Sequence, residues 1–154
     1  MPRAGFWAVE SHKIRFGRDG NWYADQDRIE NPRIVALFSR HVTQESDGSY
    51  WLKIGDERAR IEVEDTPFVV TRVDGDPRAG YRIRLNDSTE EPLATRTLRI
   101  GEHDVLYCDV KHGRFAARFL RAAQAELLEH VREATTGYVL PLPGGEELVL
   151  ERVA

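Results

Sequence analysis

Arg58-Ala59-Arg60-Ile61-Glu62-Val63 alternates without a break, with Ala59, Ile61 and Val63 on one face and Arg58, Arg60 and Glu62 on the other. A period of two is the mark of a β-strand with one face buried and one in water. An antiparallel sheet explains that pattern best, because the strands of a parallel sheet are apolar on both faces. The neighbouring segments repeat it. Tyr50-Trp51-Leu52-Lys53-Ile54 reads as a strand turned back by Gly55-Asp56, and Tyr81, Ile83 and Leu85 alternate with Arg82 and Arg84. Between them, Phe68 to Val73 is apolar enough to be well buried, and Asp74-Gly75-Asp76-Pro77 turns the chain.

Upstream, Lys13-Ile14-Arg15-Phe16 and Asn21-Trp22-Tyr23-Ala24 flank Gly17-Arg18-Asp19-Gly20. Asp-Gly supplies the positive φ of a tight hairpin turn. Asn31-Pro32 opens a helix, asparagine capping free amides and proline taking the first helical position. Ile34, Val35, Leu37, Phe38 and Val42 give that helix an apolar stripe, and Asp47-Gly48 closes the segment. Downstream, the polar loop Asn86 to Glu91 reads as the boundary between halves spanning 1–86 and 87–154. Strands follow at Thr97–Ile100 and Val105–Cys108. A long helix is expected from Arg114 to Glu133, its buried face built by Phe115, Phe119, Leu120, Ala123, Leu127, Leu128 and Val131. Tyr138–Leu142 and Glu147–Leu150 close the chain as a hairpin across Pro143-Gly144-Gly145. The fold class is α+β: two related halves of mainly antiparallel sheet, each with one helix. The internal repeat sets Tyr23 against Tyr107 at an offset of 84 and Tyr50 against Tyr138 at 88. A seam between duplicated halves is a natural groove for a ligand.

The composition narrows the functional classes. The chain has 154 residues, 41% hydrophobic and 31% charged, the make-up of a folded globular protein. A net charge of -4 gives no bulk attraction to nucleic acid or to a membrane surface. The single cysteine, Cys108, excludes a disulfide framework and lies in an apolar strand, where a buried, inert thiol is expected. The first residues hold no apolar run long enough for a signal peptide and no segment is long enough to span a bilayer, so a cytoplasmic location is the default expectation.

Ile14 to Tyr23 resembles the opening hairpin of a bacterial domain-of-unknown-function family, and Arg60 to Val69 resembles its most recognisable run. The similarity is best over residues 12–85. The resemblance implies a duplicated α+β architecture whose C-terminal half is superficially like a pleckstrin-homology fold. It also implies a site at the interface of the halves for a nucleotide-like ligand, and a role in signal transduction.

Two clusters are candidates for that site. Lys111, Arg114, Arg118 and Arg121 crowd the expected start of the long helix, which holds no acid there, while Glu126, Glu129 and Glu133 lie near its other end. A helix N-terminus is already positive, so this arrangement favours an anion, with Arg114 and Arg118 one turn apart as a phosphate clamp. The competing reading is that these arginines are solvated or pair with carboxylates elsewhere. In the second cluster Arg60 is a ligand clamp and Glu62 or Asp65 an acceptor for sugar hydroxyls or a base edge; cross-strand ion pairs explain the same residues without a ligand. No Walker A, GxGxxG, GxSxG or HExxH pattern is present, and no nucleophile accompanies the Glu62 and Glu64 pair. The expectation is therefore a non-catalytic protein without cofactor or metal. It binds a small anionic, nucleotide-like ligand through Arg60, Glu62, Asp65, Arg114 and Arg118. The alternative is a protein-interaction module, pairing with a partner or with itself, that takes no small ligand.

Overall fold

Ile14 and Phe16 face the core and Arg15 faces outward, and on this short strand the first sheet is assembled. The computed structural model describes residues 12–153, in two compact units that divide between Pro67 and Phe68. In the first unit, β1 (Ile14–Phe16), β2 (Trp22–Ala24) and β3 (Asp27–Arg28) form an antiparallel meander. A helix, α1 (Pro32–Arg40), leads to a second meander of β4 (Val42–Gln44), β5 (Tyr50–Ile54) and β6 (Glu57–Val63). The meanders join where β6 lies parallel to β1, with Arg15 opposite Glu62 and Phe16 opposite Val63. The sheet order is β3-β2-β1-β6-β5-β4.

The inner face of this sheet buries Ile14, Phe16, Trp22, Leu52, Ile54 and Ile61, and Phe38 of α1 is buried with them. Trp22 is at the centre, its ring 4.8 Å from Phe16 and 5.5 Å from Phe38. Its indole N–H donates to the buried Ser39 hydroxyl at 3.0 Å, so the one polar atom of the ring is satisfied. Asn31 caps α1 by accepting from the Arg33 amide at 2.9 Å, with Pro32 at the first position. The helix stops at Arg40, and Val42 opens β4 instead of extending the helical stripe.

The second unit repeats the strand order. β7 (Phe68–Asp76), β8 (Gly80–Leu85) and β9 (Glu90–Pro92) form one meander, and β10 (Arg99–Ile100), β11 (Leu106–Val110) and β12 (Phe115–Phe119) another. They join through a parallel contact between β12 and β7, giving the order β10-β11-β12-β7-β8-β9. A helix, α2 (Arg121–Leu128), follows β12, and β13 (Arg132–Ala134), β14 (Gly137–Pro141) and β15 (Glu147–Val149) make a three-stranded sheet. Two side chains tie α2 to the larger sheet. Glu126 accepts from the Val73 amide at 3.1 Å, just past a register shift in β7, and Gln124 accepts from the Leu106 amide at 2.9 Å.

Three expectations are corrected. The boundary is at Pro67 and Phe68; residues 86–89 are the turn of the β8–β9 hairpin, closed by a bond from the Leu85 amide to the Thr89 carbonyl at 2.9 Å, and Glu90 and Glu91 already belong to β9. The long helix is only Arg121–Leu128. Phe115, Ala117 and Phe119 are buried while Ala116 and Arg118 face outward, so this segment follows the strand period and pairs with β11 and β7. The duplication is one of strand order, two meanders closed by a parallel pair in each unit, and not of the aromatic spacing. Tyr23 lies on the second strand of its unit and Tyr107 on the fifth.

Trp22→Ala should destabilise the first unit by about 3–5 kcal/mol, the usual cost of emptying a large aromatic site. Ser39→Ala, which leaves the indole N–H buried and unpaired, should cost about 1–3 kcal/mol. Urea unfolding of both variants measures the two effects.

Candidate functional site

The outward face of the first sheet collects alternate residues of adjacent strands: Arg15 from β1, Tyr23 from β2, Trp51 and Lys53 from β5, and Arg58, Arg60 and Glu62 from β6. The guanidinium of Arg58 lies over the Trp51 ring at 4.1 Å and that of Arg15 over the Tyr23 ring at 4.3 Å. Beside β6 is a depression of about 560 Å³, lined by Arg15, Ser49, Tyr50, Arg60, Glu62 and Glu64, among others. A volume of that size is in the range of small-molecule sites.

The charges around it are unequal in their engagements. Lys13 pairs with Glu62 at 3.1 Å, Arg15 with Glu64 at 2.7 Å, and Arg18 also bonds Glu64. Among the described residues no carboxylate stands within ion-pair distance of Arg60. Its charge is nevertheless felt by Asp47. The Ser49 hydroxyl, above all, and the Ser49 amide hold the Asp47 carboxyl below its usual range, and Arg60 adds to the effect. The Ser49 hydroxyl donates to Asp47 at 2.5 Å and accepts from the Trp51 indole at 2.9 Å, which fixes the corner of the depression. Tyr50 is half-buried there, and burial pushes its phenol up.

Of the five candidate residues, this depression gathers Arg60 and Glu62. Asp65 is exposed and lies just beyond the end of β6, outside the lining. Arg114 and Arg118 belong to the second unit, and the expectation of a helix N-terminus there is wrong. Lys111 to Arg114 is the turn of the β11–β12 hairpin, with Lys111, His112 and Gly113 all left-handed at φ 57, 60 and 79. On a strand the four-residue step from Arg114 to Arg118 spans about 13 Å, twice the separation that one helical turn provides. Arg118 donates to the Tyr107 hydroxyl at 3.2 Å, and the Arg114 guanidinium lies 5.4 Å from the Phe115 ring centre. Likewise Arg82 and Arg84 are on β8 of the second unit, where Arg82 faces Asp74 and Arg84 faces Glu90 across the ladder. Ser49 reaches Arg60 through the β5–β6 hairpin, where Trp51 pairs with Arg60, whereas Arg15 is brought to the depression only by the parallel pairing of β1 with β6, without any local sequence signal.

The other basic residue of the turn is inward. Lys111 Nζ bonds Asp87 at 2.7 Å and the Thr89 hydroxyl at 2.9 Å, and the Lys111 amide donates to Glu91. The Asp87 side chain is 6% exposed. Burial alone would raise its pKa, but bonds from Lys111 and Thr89 outweigh burial and hold it below the usual range. Cys108 is fully buried, and burial, with the charge of Glu91, pushes its thiol up to about 12. No helix of the described residues is long and apolar enough to cross a membrane.

Two six-stranded sheets of one strand order, each built from two meanders joined by a parallel contact, define a duplicated α+β protein. Residues 7–66 match the N-terminal domain of DUF1285, a domain of unknown function. The fold is also that of a DUF1285 family protein from Silicibacter pomeroyi DSS-3, with a TM-score of 0.71 and 20% identity over 90% of this chain and 79% of that one. A DUF1285 family protein from Shewanella baltica OS155 matches with a TM-score of 0.60 and 17% identity, over 78% of this chain and 93% of that one. No curated protein matches the sequence.

Lys111→Met leaves Asp87 buried without its cation and should destabilise the second unit by about 3 kcal/mol. Adding Asp87→Asn should recover part of the loss. Because the folded pKa of Asp87 is depressed, its contribution is complete above the unfolded value, roughly 3.9, and is lost as pH falls through the folded value. Unfolding free energies measured between pH 7 and 2 should therefore fall less steeply in the double variant than in the parent.

Proposed function

We propose that the protein binds a small anionic, nucleotide-like ligand in the depression beside β6, in a regulatory rather than a catalytic role. Arg60 takes the anionic group. Glu62 accepts from sugar hydroxyls or a base edge, and Tyr50 offers an aromatic wall. The observation that carries the reading is Arg60 itself: an exposed arginine bordering a depression of about 560 Å³, beside neighbours whose charges are already engaged. A guanidinium on a sheet face presents a planar pair of donors that suits phosphate or carboxylate. The anchoring of Ser49 to both Asp47 and Trp51 keeps the corner rigid, which lowers the cost of ordering a bound ligand.

Thermal unfolding in the presence of nucleotides, cyclic mono- and dinucleotides and inorganic phosphate tests the reading. A ligand at about 100 times its dissociation constant stabilises the folded state by roughly 2.7 kcal/mol. For a chain of this length the midpoint should rise by several degrees. The shift should appear for one ligand class and disappear in Arg60→Ala. A shift that survives Arg60→Ala contradicts the placement. A flat response at millimolar concentration favours an interaction module instead, a reading that the exposed Tyr138 and Val149 of the three-stranded sheet support.

A further inference from the structure

Glu64 stands one residue beyond β6, and its carboxylate is held by two arginines at once. Arg15 donates to one oxygen at 2.7 Å and Arg18 donates to the other. Two guanidinium groups sharing the oxygens of one anion is the arrangement by which arginines hold a free carboxylate or phosphate. The side chains of Arg15 and Glu64 are 30% and 29% exposed and that of Arg18 is 60% exposed, so Arg15 is the more fixed of the two arms. Arg15 also stacks on Tyr23, whose hydroxyl donates to Asp19 at 2.5 Å, so its position does not depend on Glu64. The backbone of Glu64 is pinned by a bond from its amide to the Phe16 carbonyl at 3.0 Å, which leaves only the side chain to swing. Arg15 and Glu64 both line the depression that Arg60 borders.

We propose that Arg15, in the lining of this depression, and Arg18, which reaches Glu64 from outside that lining, form a second anion subsite at its edge, filled by the chain's own Glu64 carboxylate, and that a ligand phosphate or carboxylate enters by displacing it. The exchange breaks no covalent bond; one carboxylate leaves the two guanidinium groups and another anion takes its place. Arg15 lies opposite Glu62 on the neighbouring parallel strand, and Arg60 is two residues back along β6. That diagonal relation separates their backbones by roughly 7–8 Å. The ligand class that uses both subsites is a small molecule with two anionic groups. The tethered carboxylate competes with it, so anion affinity in the parent protein is reduced by the fraction of time Glu64 occupies the subsite. The subsite rests on side chains other than Arg60, and the two readings fail separately.

The test is a titration with inorganic phosphate followed by the arginine Nε–H signals in nuclear magnetic resonance spectra. Glu64→Gln, which keeps shape but loses charge, should bind phosphate about tenfold or more tightly than the parent. The Arg15 and Arg18 signals should move during the titration. The gain should vanish when Arg15→Gln is added and persist when Arg60→Ala is added. A Glu64→Gln variant that binds no more tightly than the parent overturns the proposal, as does a gain that survives Arg15→Gln. Glu64→Asp, one methylene shorter, should shift affinity in the same direction by less, and serves if the glutamine variant does not fold. No gain in that variant is equally contrary.

Discussion

The meeting of the two meanders on the outward face of the first sheet depends on the parallel contact between β1 and β6. The hairpins within each meander form from neighbours in sequence. This contact joins Arg15 to Glu62 and Phe16 to Val63, across 47 residues in each case. Closing so long a loop costs entropy that only the buried surface behind the strands repays, with Phe16, Trp22 and Ile61 supplying it. Because side chains alternate at a period of two, a slip of one residue in this register would turn Arg60 and Glu62 into the core and Ile61 into water. The hydrophobic pattern therefore fixes the register, and the register fixes which charges meet. The second unit solves the same problem with β12 against β7, where Phe68, Val70, Ala117 and Phe119 are buried along the contact.

The ion pairs of the first sheet add little to its stability. Exposed pairs such as Lys13 with Glu62 are worth about 0–1 kcal/mol each, since water screens them and ordering two long side chains costs entropy. Their effect is on which groups remain available. Glu64 engages two arginines, Glu62 engages a lysine, and among the described residues no carboxylate is within ion-pair distance of Arg60, whose charge reaches Asp47 from farther off. The buried pair of Lys111 with Asp87 is of another kind. It neutralises a carboxylate that is out of water and anchors a turn held in three successive left-handed conformations. For the two non-glycine residues that conformation costs of order 1–2 kcal/mol each, which the three bonds of the Lys111 amide and ammonium offset.

Much of the sheet structure was legible because period two is a strong local signal. Tyr50–Ile54 forms a strand with the bounds its alternation indicates, and Arg58–Val63 and Tyr81–Leu85 each start one residue earlier. The Asn31-Pro32 helix start is a local signal too, and the cap is made as expected. The segment after Arg114 misled because two periods coincide. Phe115, Phe119, Ala123 and Leu127 recur every four residues, as on a helix, while Phe115, Ala117 and Phe119 also recur every two. Only the contact with β7 decides between them, and no local pattern encodes it. The loop over 86–91 was misplaced as a boundary for a related reason: a polar turn inside a hairpin and a polar linker have the same composition. In the site, Arg60 and Glu62 followed from alternation alone. Arg15 and Arg18 did not, since a pairing across most of the first unit brings them to Glu64.

Arg60 as the anion-holding residue of the depression is the claim on which the functional reading turns. Its most direct test is a crystal of the protein soaked in tungstate, a phosphate-like anion with a strong anomalous signal. An anomalous peak within about 4 Å of the Arg60 guanidinium is the predicted result. Peaks confined to other arginines, with none at Arg60, would contradict it.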